Sequence, residues 1–526
     1  MAKLTIDGIA LEVPDGTSLF DACTQARGEP LPHFCYHPDL PVAGVCRLCQ
    51  VEIAGSPKLT IACNTAVKDG MTVLTRGPRI DEAVRRILEM HLINHPVDCP
   101  ICDQAGECGL QDQYMQYGLY ASAFPQADKV HKRKAEPIGP RVILDQERCV
   151  LCARCVRFCA EVTKTGELGI FRRGDRAEVG VAPGRALDNG YSLNTVDICP
   201  VGALTSRDFR FQKRVWLLRS TPTICPGCAT GCNMRADHEA GRIWRLRPRR
   251  NDAVNGPWMC DAGRMEYKAV HAADRLERPL LRRDGELRPV EWRELWPELT
   301  ARLGGGAVAA AVASPRQTLE ELYLFRAVAA RCVRDGRAWG GVAGAARGAG
   351  DELLLSGDRA PNRTALGWLG LPEIEPAALA ARLAAAEAAL VYGGDPAAET
   401  PELAAALSAC PGLIYLGTRL DATARAAAIV VPLSAWAEKD GLLANRQGRL
   451  QALRRAVARP PQAAEDWRFL AELLARLGAP PSPESLAALR RAIGRDLGLP
   501  TQVDLAAPPD AGLVVAPGGA RAGGGR

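Results

Sequence analysis

The chain opens on strict alternation. Residues 3–6 and 9–13 place apolar side chains at every second position around Asp7-Gly8, which predicts a two-stranded hairpin closed by a tight turn. Residues 18–27 (SLFDACTQAR) change to a helical period, with Cys23 inside the helix as a small buried thiol. Together the first 78 residues read as a small β-grasp module. Between positions 35 and 49 glycine and proline break every period, so that stretch is a loop whose backbone N–H groups are able to turn inward. His91 and His95 fall four residues apart at the end of one predicted helix. Far downstream, residues 378–391 (ALAARLAAAEAALV) have the apolar density of a helix leading into a strand, within a region rich in Ala, Leu, Arg and Gly. The end, 516–526, has too little apolar content to bury a core and reads as a disordered tail.

Cysteine changes this picture. Fifteen of the nineteen cysteines and one histidine fall into four sets before residue 261. The first is Cys35-x10-Cys46-x2-Cys49-x13-Cys63, and the second is His95-x3-Cys99-x2-Cys102-x5-Cys108. The third is Cys149-x2-Cys152-x2-Cys155, completed by Cys199 and Pro200; the fourth is Cys225-x2-Cys228-x3-Cys232-x27-Cys260. Thiolates gathered in fours on short loops are what iron–sulfur clusters require. Zinc is the competing reading for any C-x2-C knuckle. In the second set both His91 and His95 are within reach of a metal. Cys149, Cys152, Cys155 and Cys159 spell the run of a two-cluster ferredoxin, in which the last Cys serves a second cluster. That second cluster would need cysteines where Asn189, Ser192 and Thr195 stand, so one cluster survives and Cys159 is left as a buried orphan. Only Cys332 and Cys410 follow Cys260.

At 526 residues the chain holds several domains, and 47% hydrophobic with 24% charged residues is ordinary for a globular protein. No apolar run is long enough to span a membrane. The start, Met1-Ala2-Lys3-Leu4, lacks the pattern of an export signal, so a reducing compartment is expected for these thiols. The net charge of +6 is mild. Two basic runs, 129–134 (KVHKRK) and 245–250 (RLRPRR), lack interleaved aromatics and read as solvated faces or subunit contacts rather than a nucleic-acid surface. The glycine-rich stretches at 304–306 and 340–350 lack a strand–GxGxxG–helix context and read as loops, not a nicotinamide site. No acid/base or nucleophile constellation stands out.

These motifs carry a resemblance. The first set resembles the [2Fe–2S] ferredoxin fold in its variant with a long first gap. HPVDCPICDQAGEC resembles the [4Fe–4S] domain with one histidine and three cysteine ligands, whose histidine aligns with His95. Cys225-Pro226-Gly227-Cys228 and Cys260-Asp261-Ala262-Gly263-Arg264 resemble the cluster domain of molybdenum/tungsten bis-pterin oxidoreductases, with Ala262 where active enzymes carry Lys. In order, the four sets resemble the large iron–sulfur subunit of respiratory complex I, NADH:quinone oxidoreductase. A weaker likeness continues to Ala444–Gln451 (ANRQGRLQ), in a shortened molybdopterin-oxidoreductase-like region.

The resemblance implies an α/β and α+β multidomain chain. Its expected parts are a [2Fe–2S] ferredoxin-like domain at 1–78, a helical histidine-ligated [4Fe–4S] domain at 79–140, and a ferredoxin-like [4Fe–4S] domain at 141–217. A [4Fe–4S] domain of bis-pterin oxidoreductase type at 218–275 and a reduced α/β molybdopterin-oxidoreductase-like domain at 276–515 follow. It implies one [2Fe–2S] and three [4Fe–4S] clusters, no molybdopterin, and an electron relay from flavin-bearing NADH subunits towards quinone-side iron–sulfur subunits. The first three clusters belong to the main relay and the fourth lies off it. The implied place is peripheral, on the cytoplasmic face of the inner (plasma) membrane. A molybdenum/tungsten dehydrogenase such as formate dehydrogenase, an iron-only hydrogenase and a zinc scaffold are the alternatives. Ala262, the 266 residues after Cys260 and the scarcity of later cysteines stand against the first two.

Overall fold

In a computed structural model, residues 1–118, 124–306, 308–480, 483–500 and 504–515 are described. The tail at 516–526 lies outside them. The chain divides into two compact units, Met1–Leu218 and Arg219–Arg526.

The first unit begins with the expected hairpin. Ala2–Ile6 pairs antiparallel with Ile9–Val13, and Asp7 and Gly8 both take positive φ (49° and 83°), as a two-residue hairpin turn demands. Ala2–Ile6 also pairs in parallel with Met71–Leu74, which builds a five-stranded sheet with Gln50–Ile53 and Thr60–Ile61 beyond it. Helix Leu19–Arg27 starts at a Ser18 cap and ends at left-handed Gly28. It packs Leu19, Phe20, Ala22 and Cys23 on that sheet with Leu4 and Ile6. Helix Pro78–Leu92 buries the stripe Ile80, Val84, Leu88 and Leu92 at a spacing of four, one face of a helix. The rest of the unit is loop-rich, with small sheets of Leu204–Ser206, Val142–Leu144 and Glu136–Pro137, and of Leu168–Phe171 and Glu178–Val181.

The second unit starts with the antiparallel strands Arg219–Ile224, Asn233–Glu239 and Arg242–Pro248. Its centre is a seven-stranded sheet, in the order Glu286–Pro289, Leu280–Arg283, Ile429–Pro432, Gly412–Gly417, Ala388–Tyr392, Val308–Ala313, Ala338–Trp339. Its last five strands run parallel and are buried on both faces. Alternate residues enter separate cores. Leu390, Tyr392, Ile414 and Leu416 meet helices Leu319–Cys332 and Asp466–Arg476. Ala389, Val391, Leu413 and Tyr415 meet helices Pro376–Leu383 and Pro401–Ala409. Parallel strands covered on both sides by helices have this continuous apolar character. The helix-then-strand expectation over 378–391 corresponds to Pro376–Leu383 followed by Ala388–Tyr392. Gly304–Gly306, expected as loop, forms one turn of 3-10 helix. Among the described residues no helix is long and apolar enough to cross a membrane.

Candidate metal centres

The first set lies on the loop between helix Leu19–Arg27 and strand Gln50–Ile53, and on the 3-10 turn Ala62–Asn64. All four thiols are buried. Cys35 and Cys46 sulfurs are 3.4 Å apart. Hydrogen bonds also link Cys35 to Cys63 and Cys49 to Cys63. The Cys46 and Cys63 thiols hold Cys35 well below the usual thiol range, and Cys63 lowers Cys49, while both donors are raised. Thiols that ligate a metal must give up their protons when it binds. Left-handed Arg47 and Gly44 turn the backbone inward, so Val45 and Cys46 N–H reach the Cys35 sulfur and Leu48 N–H reaches Cys46.

His95, Cys99, Cys102 and Cys108 line one small cavity, walled by Leu92, Leu110 and Tyr114 among others. The histidines separate. Helix Pro78–Leu92 stops before His95, because Pro96 disfavours helical geometry at the residue it follows. The expectation that both histidines share one helix is thereby corrected. His91 instead meets the Cys46 carbonyl through Nε2 at 3.2 Å and stacks edge-on with Phe34. Burial, reinforced by Arg148, pulls His95 down to about 4, so the imidazole is neutral at physiological pH. Its Nδ1 accepts the Val97 N–H (3.1 Å), which leaves Nε2 as the ring nitrogen available to a metal. Lys129 donates to the carbonyls of Leu92, Ile93 and His95 at 2.9, 3.2 and 2.6 Å. Lys129, 5% exposed, caps a helix end and so departs from the solvated-face reading of 129–134, whereas His131, Arg133 and Lys134 are exposed. In the other basic run, Arg245 and Arg247 both pair with buried Asp237 at 2.7 Å.

Cys149, Cys152, Cys155 and Cys199 line a second small cavity with Leu144, Val179, Val201 and Leu204. Burial pushes Cys149 up to about 12 and Cys152 up to about 11. Their sulfurs accept N–H groups two residues on, from Leu151 and Arg154, and Cys199 accepts from Val201, Ala203 and Leu204. Positive φ at Leu151 and Ala153 makes this possible. Cys159 is fully buried in the π-turn Phe158–Val162 and does not line the cavity. Asn189 donates to Glu167 (3.0 Å) and the Thr195 hydroxyl to the Ser192 carbonyl (2.7 Å), so hydrogen-bonded polar side chains stand where a second ferredoxin run would need thiols. The second and third sets touch through the Gly109 N–H and the Pro200 carbonyl, 3.0 Å.

In the second unit, Cys225, Cys228, Cys232 and Cys260 are all buried. The Cys225 N–H donates to the Cys232 carbonyl (2.8 Å). Gly227 N–H reaches the Cys225 sulfur (3.4 Å) and Gly263 N–H reaches Cys260 (3.3 Å). A Cβ on Gly263 would lie 3.0 Å from the Cys225 sulfur and 3.4 Å from that of Cys260, which places both sulfurs around one point of backbone. The ANRQGRLQ string packs on this loop: Gln451 donates to the Gly231 carbonyl (2.9 Å) and accepts from Asn233 (2.6 Å), and Asn445 donates to Thr230 (3.2 Å). Its place was invisible in spacing alone. So was a cleft at the carboxyl ends of the parallel strands, lined by Ser314, Arg316, Gly393, Asp395, Arg419 and Lys439. Its cations are met by carboxylates: Arg316 by Glu266, Arg419 by Asp274, and Lys439 by Glu321 and Asp466.

Among the described residues, no three His, Cys, Asp or Glu side chains are arranged to hold one metal ion. Cluster ligands have a different task, because in a four-iron cluster each donor binds its own iron and in a two-iron cluster the thiolates bind in pairs, one pair to each iron. Buried thiols with inward N–H groups, in pockets walled by apolar side chains, fit the donor chemistry of clusters.

Comparison with known proteins agrees with this chemistry. Residues 1–78 match the 2Fe-2S iron-sulfur cluster binding domain family, and 85–122 the NADH-ubiquinone oxidoreductase-G iron-sulfur binding region. Residues 139–205 match the ferredoxin-like domain of NADH-quinone oxidoreductase subunit 3. Residues 218–272 match the molybdopterin oxidoreductase Fe4S4 domain, and 377–476 molybdopterin oxidoreductase. The G subunit of NADH-quinone oxidoreductase from Rickettsia conorii is 41% identical over 56% of this chain and 43% of its own length. That of Streptomyces coelicolor is 40% identical over 62% of this chain and 39% of its own length. The NADH-ubiquinone oxidoreductase 75 kDa subunit of Reclinomonas americana is 40% identical over 56% of this chain and 42% of its own length. The chain thus spans about two fifths of the length of these relatives.

Proposed function

We propose that this chain, 41% identical over 294 residues to the G subunit of an NADH-quinone oxidoreductase, is an electron-relay subunit of that complex. It takes electrons from the flavin-bearing NADH subunits and passes them towards quinone-side iron–sulfur subunits. Its place is peripheral, on the cytoplasmic face of the inner (plasma) membrane. Cys35, Cys46, Cys49 and Cys63 hold one [2Fe–2S] cluster. His95 with Cys99, Cys102 and Cys108 holds a [4Fe–4S] cluster, as does Cys149 with Cys152, Cys155 and Cys199. Cys225, Cys228, Cys232 and Cys260 hold a third [4Fe–4S] cluster, off the main relay. The boundaries 1–78, 79–140, 141–217, 218–275 and 276–515 are the corresponding domains, the last without molybdopterin.

The observation that carries this reading is the gathering of the second and third donor sets around apolar-walled cavities, with backbone N–H groups aimed at the sulfurs of the first, third and fourth. Bound clusters supply one-electron redox chemistry. The chain supplies thiolates and a neutral imidazole, hydrogen bonds to sulfur, and exclusion of water. Burial raises the thiols, so loading displaces protons and proceeds more readily as pH rises.

The test is iron and acid-labile sulfide analysis with low-temperature EPR on anaerobically purified protein. The expected content is about fourteen iron atoms per chain in one two-iron and three four-iron centres. Cys102→Ser removes one four-iron signal and leaves the others. Protein devoid of iron overturns the proposal, and loss of every signal in the variant overturns the division into separate sites.

A further inference from the structure

The loops carrying the first and third donor sets meet at one guanidinium. Arg157 closes the short helix Arg154–Arg157, which begins just after Cys152 and carries Cys155. Its Nη2 donates to the Cys35 carbonyl at 2.5 Å and lies 3.4 Å from the Cys152 carbonyl. Nη1 donates to the Pro41 carbonyl, and Nε to Ala153 at 3.3 Å. Every acceptor is backbone, and each belongs to one of the two ligand-bearing loops. Arg154 repeats the pattern, reaching the carbonyls of Tyr36 and, at 3.0 Å, Ile198.

Arg148, between the second and third sets, is different. Its guanidinium is met by Asp98 and Asp145, so its charge is compensated locally. Among the described residues no carboxylate pairs with Arg157. A guanidinium stays protonated at any accessible pH. Half-buried, its field is screened less than that of a surface cation. Centres held by thiolates carry negative charge and gain more on reduction, so a nearby uncompensated cation stabilises the reduced form.

We propose that Arg157, held between the first-set and third-set loops, is a positioning residue that raises the reduction potentials of the centres those two sets hold. This rests on the reading that both sets bind clusters. The second set, whose backbone accepts no hydrogen bond from Arg157, is the internal control.

The test is an EPR redox titration of the full-length, iron-loaded chain with Arg157→Gln and Arg157→Lys. In R157Q, the reduced-to-oxidised ratio of the first-set and third-set centres at fixed ambient potential falls about tenfold, a shift of about 59 mV for a one-electron couple. The second-set centre moves less than either. R157K keeps the charge and recovers most of the shift. Unmoved potentials, an equal shift at all four centres, or R157K behaving as R157Q overturns the inference. Loss of iron from the first or third set in R157Q also overturns it, since Arg157 is then a strut for assembly. A wild-type chain without iron overturns the proposed function itself, whereas loaded wild type with unmoved R157Q potentials overturns this inference alone.

Discussion

A Cβ added to Gly202 would lie 2.7 Å from the Cys102 sulfur and 3.0 Å from Gln104 Cβ. An alanine methyl cannot turn away, so Gly202→Ala must displace the Cys102 sulfur or the loop that carries it. The expected result is loss of about four iron atoms and of one four-iron signal, with destabilisation of about 1–3 kcal/mol from overpacking. Iron analysis with EPR reads it, and a variant carrying all its signals contradicts the argument. The string Val201-Gly202-Ala203 gives no hint of this, because the constraint comes from a sulfur a hundred positions earlier. Cysteines are legible for the opposite reason: their spacing within a loop is itself the chemical requirement. Cys159 shows the limit, since its separation from the cavity was inferred only by finding Asn189, Ser192 and Thr195 where its partners would stand. In the structure burial pushes its thiol up to about 12, as suits a structural residue.

At the scale of elements, two helix starts in the second unit are tied by one buried cation. Thr318 caps helix Leu319–Cys332, whose Glu321 accepts from Lys439 at 2.8 Å. Asp466, opening helix Asp466–Arg476, accepts from Lys439 at 3.2 Å and from the Tyr392 hydroxyl at 3.0 Å. Burial raises Glu321 to about 7, against the pull of Lys439 and with Asp466 adding to the rise. An unfolded glutamate titrates near about 4.3, so the folded state binds the extra proton between the two values and stability falls as pH rises through that window. Glu321→Gln removes the titration. Denaturant midpoints followed by tryptophan fluorescence at roughly pH 5 and pH 8 should decline for wild type and stay nearly level for E321Q. Equal declines contradict the assignment. Alternation and turn chemistry disclosed the first hairpin, and apolar density disclosed the helix and strand over 378–391. Neither reaches the Lys439 link, because its partners come from three separate stretches of chain.

For the whole molecule, the division at Leu218 and Arg219 falls between the third and fourth donor sets. Each set therefore has all its ligands inside one compact unit, and the local loops that present them are built within that unit. The dense run of cysteines ends at Cys260, yet the structural division comes earlier, because the fourth set leans on Asn445 and Gln451 from the far end of the chain. That dependence makes a sharp prediction. A fragment of residues 1–218, produced alone under anaerobic conditions, should retain about ten iron atoms and the signals of the first three sets. A fragment of residues 219–526 should retain about four, whereas one ending before residue 445 should lose them, since Gly231 and Thr230 would forfeit their side-chain partners. If a piece spanning residues 219–300 holds its cluster as firmly as the longer fragment, the loop is self-sufficient and the supporting role of Asn445 and Gln451 is refuted.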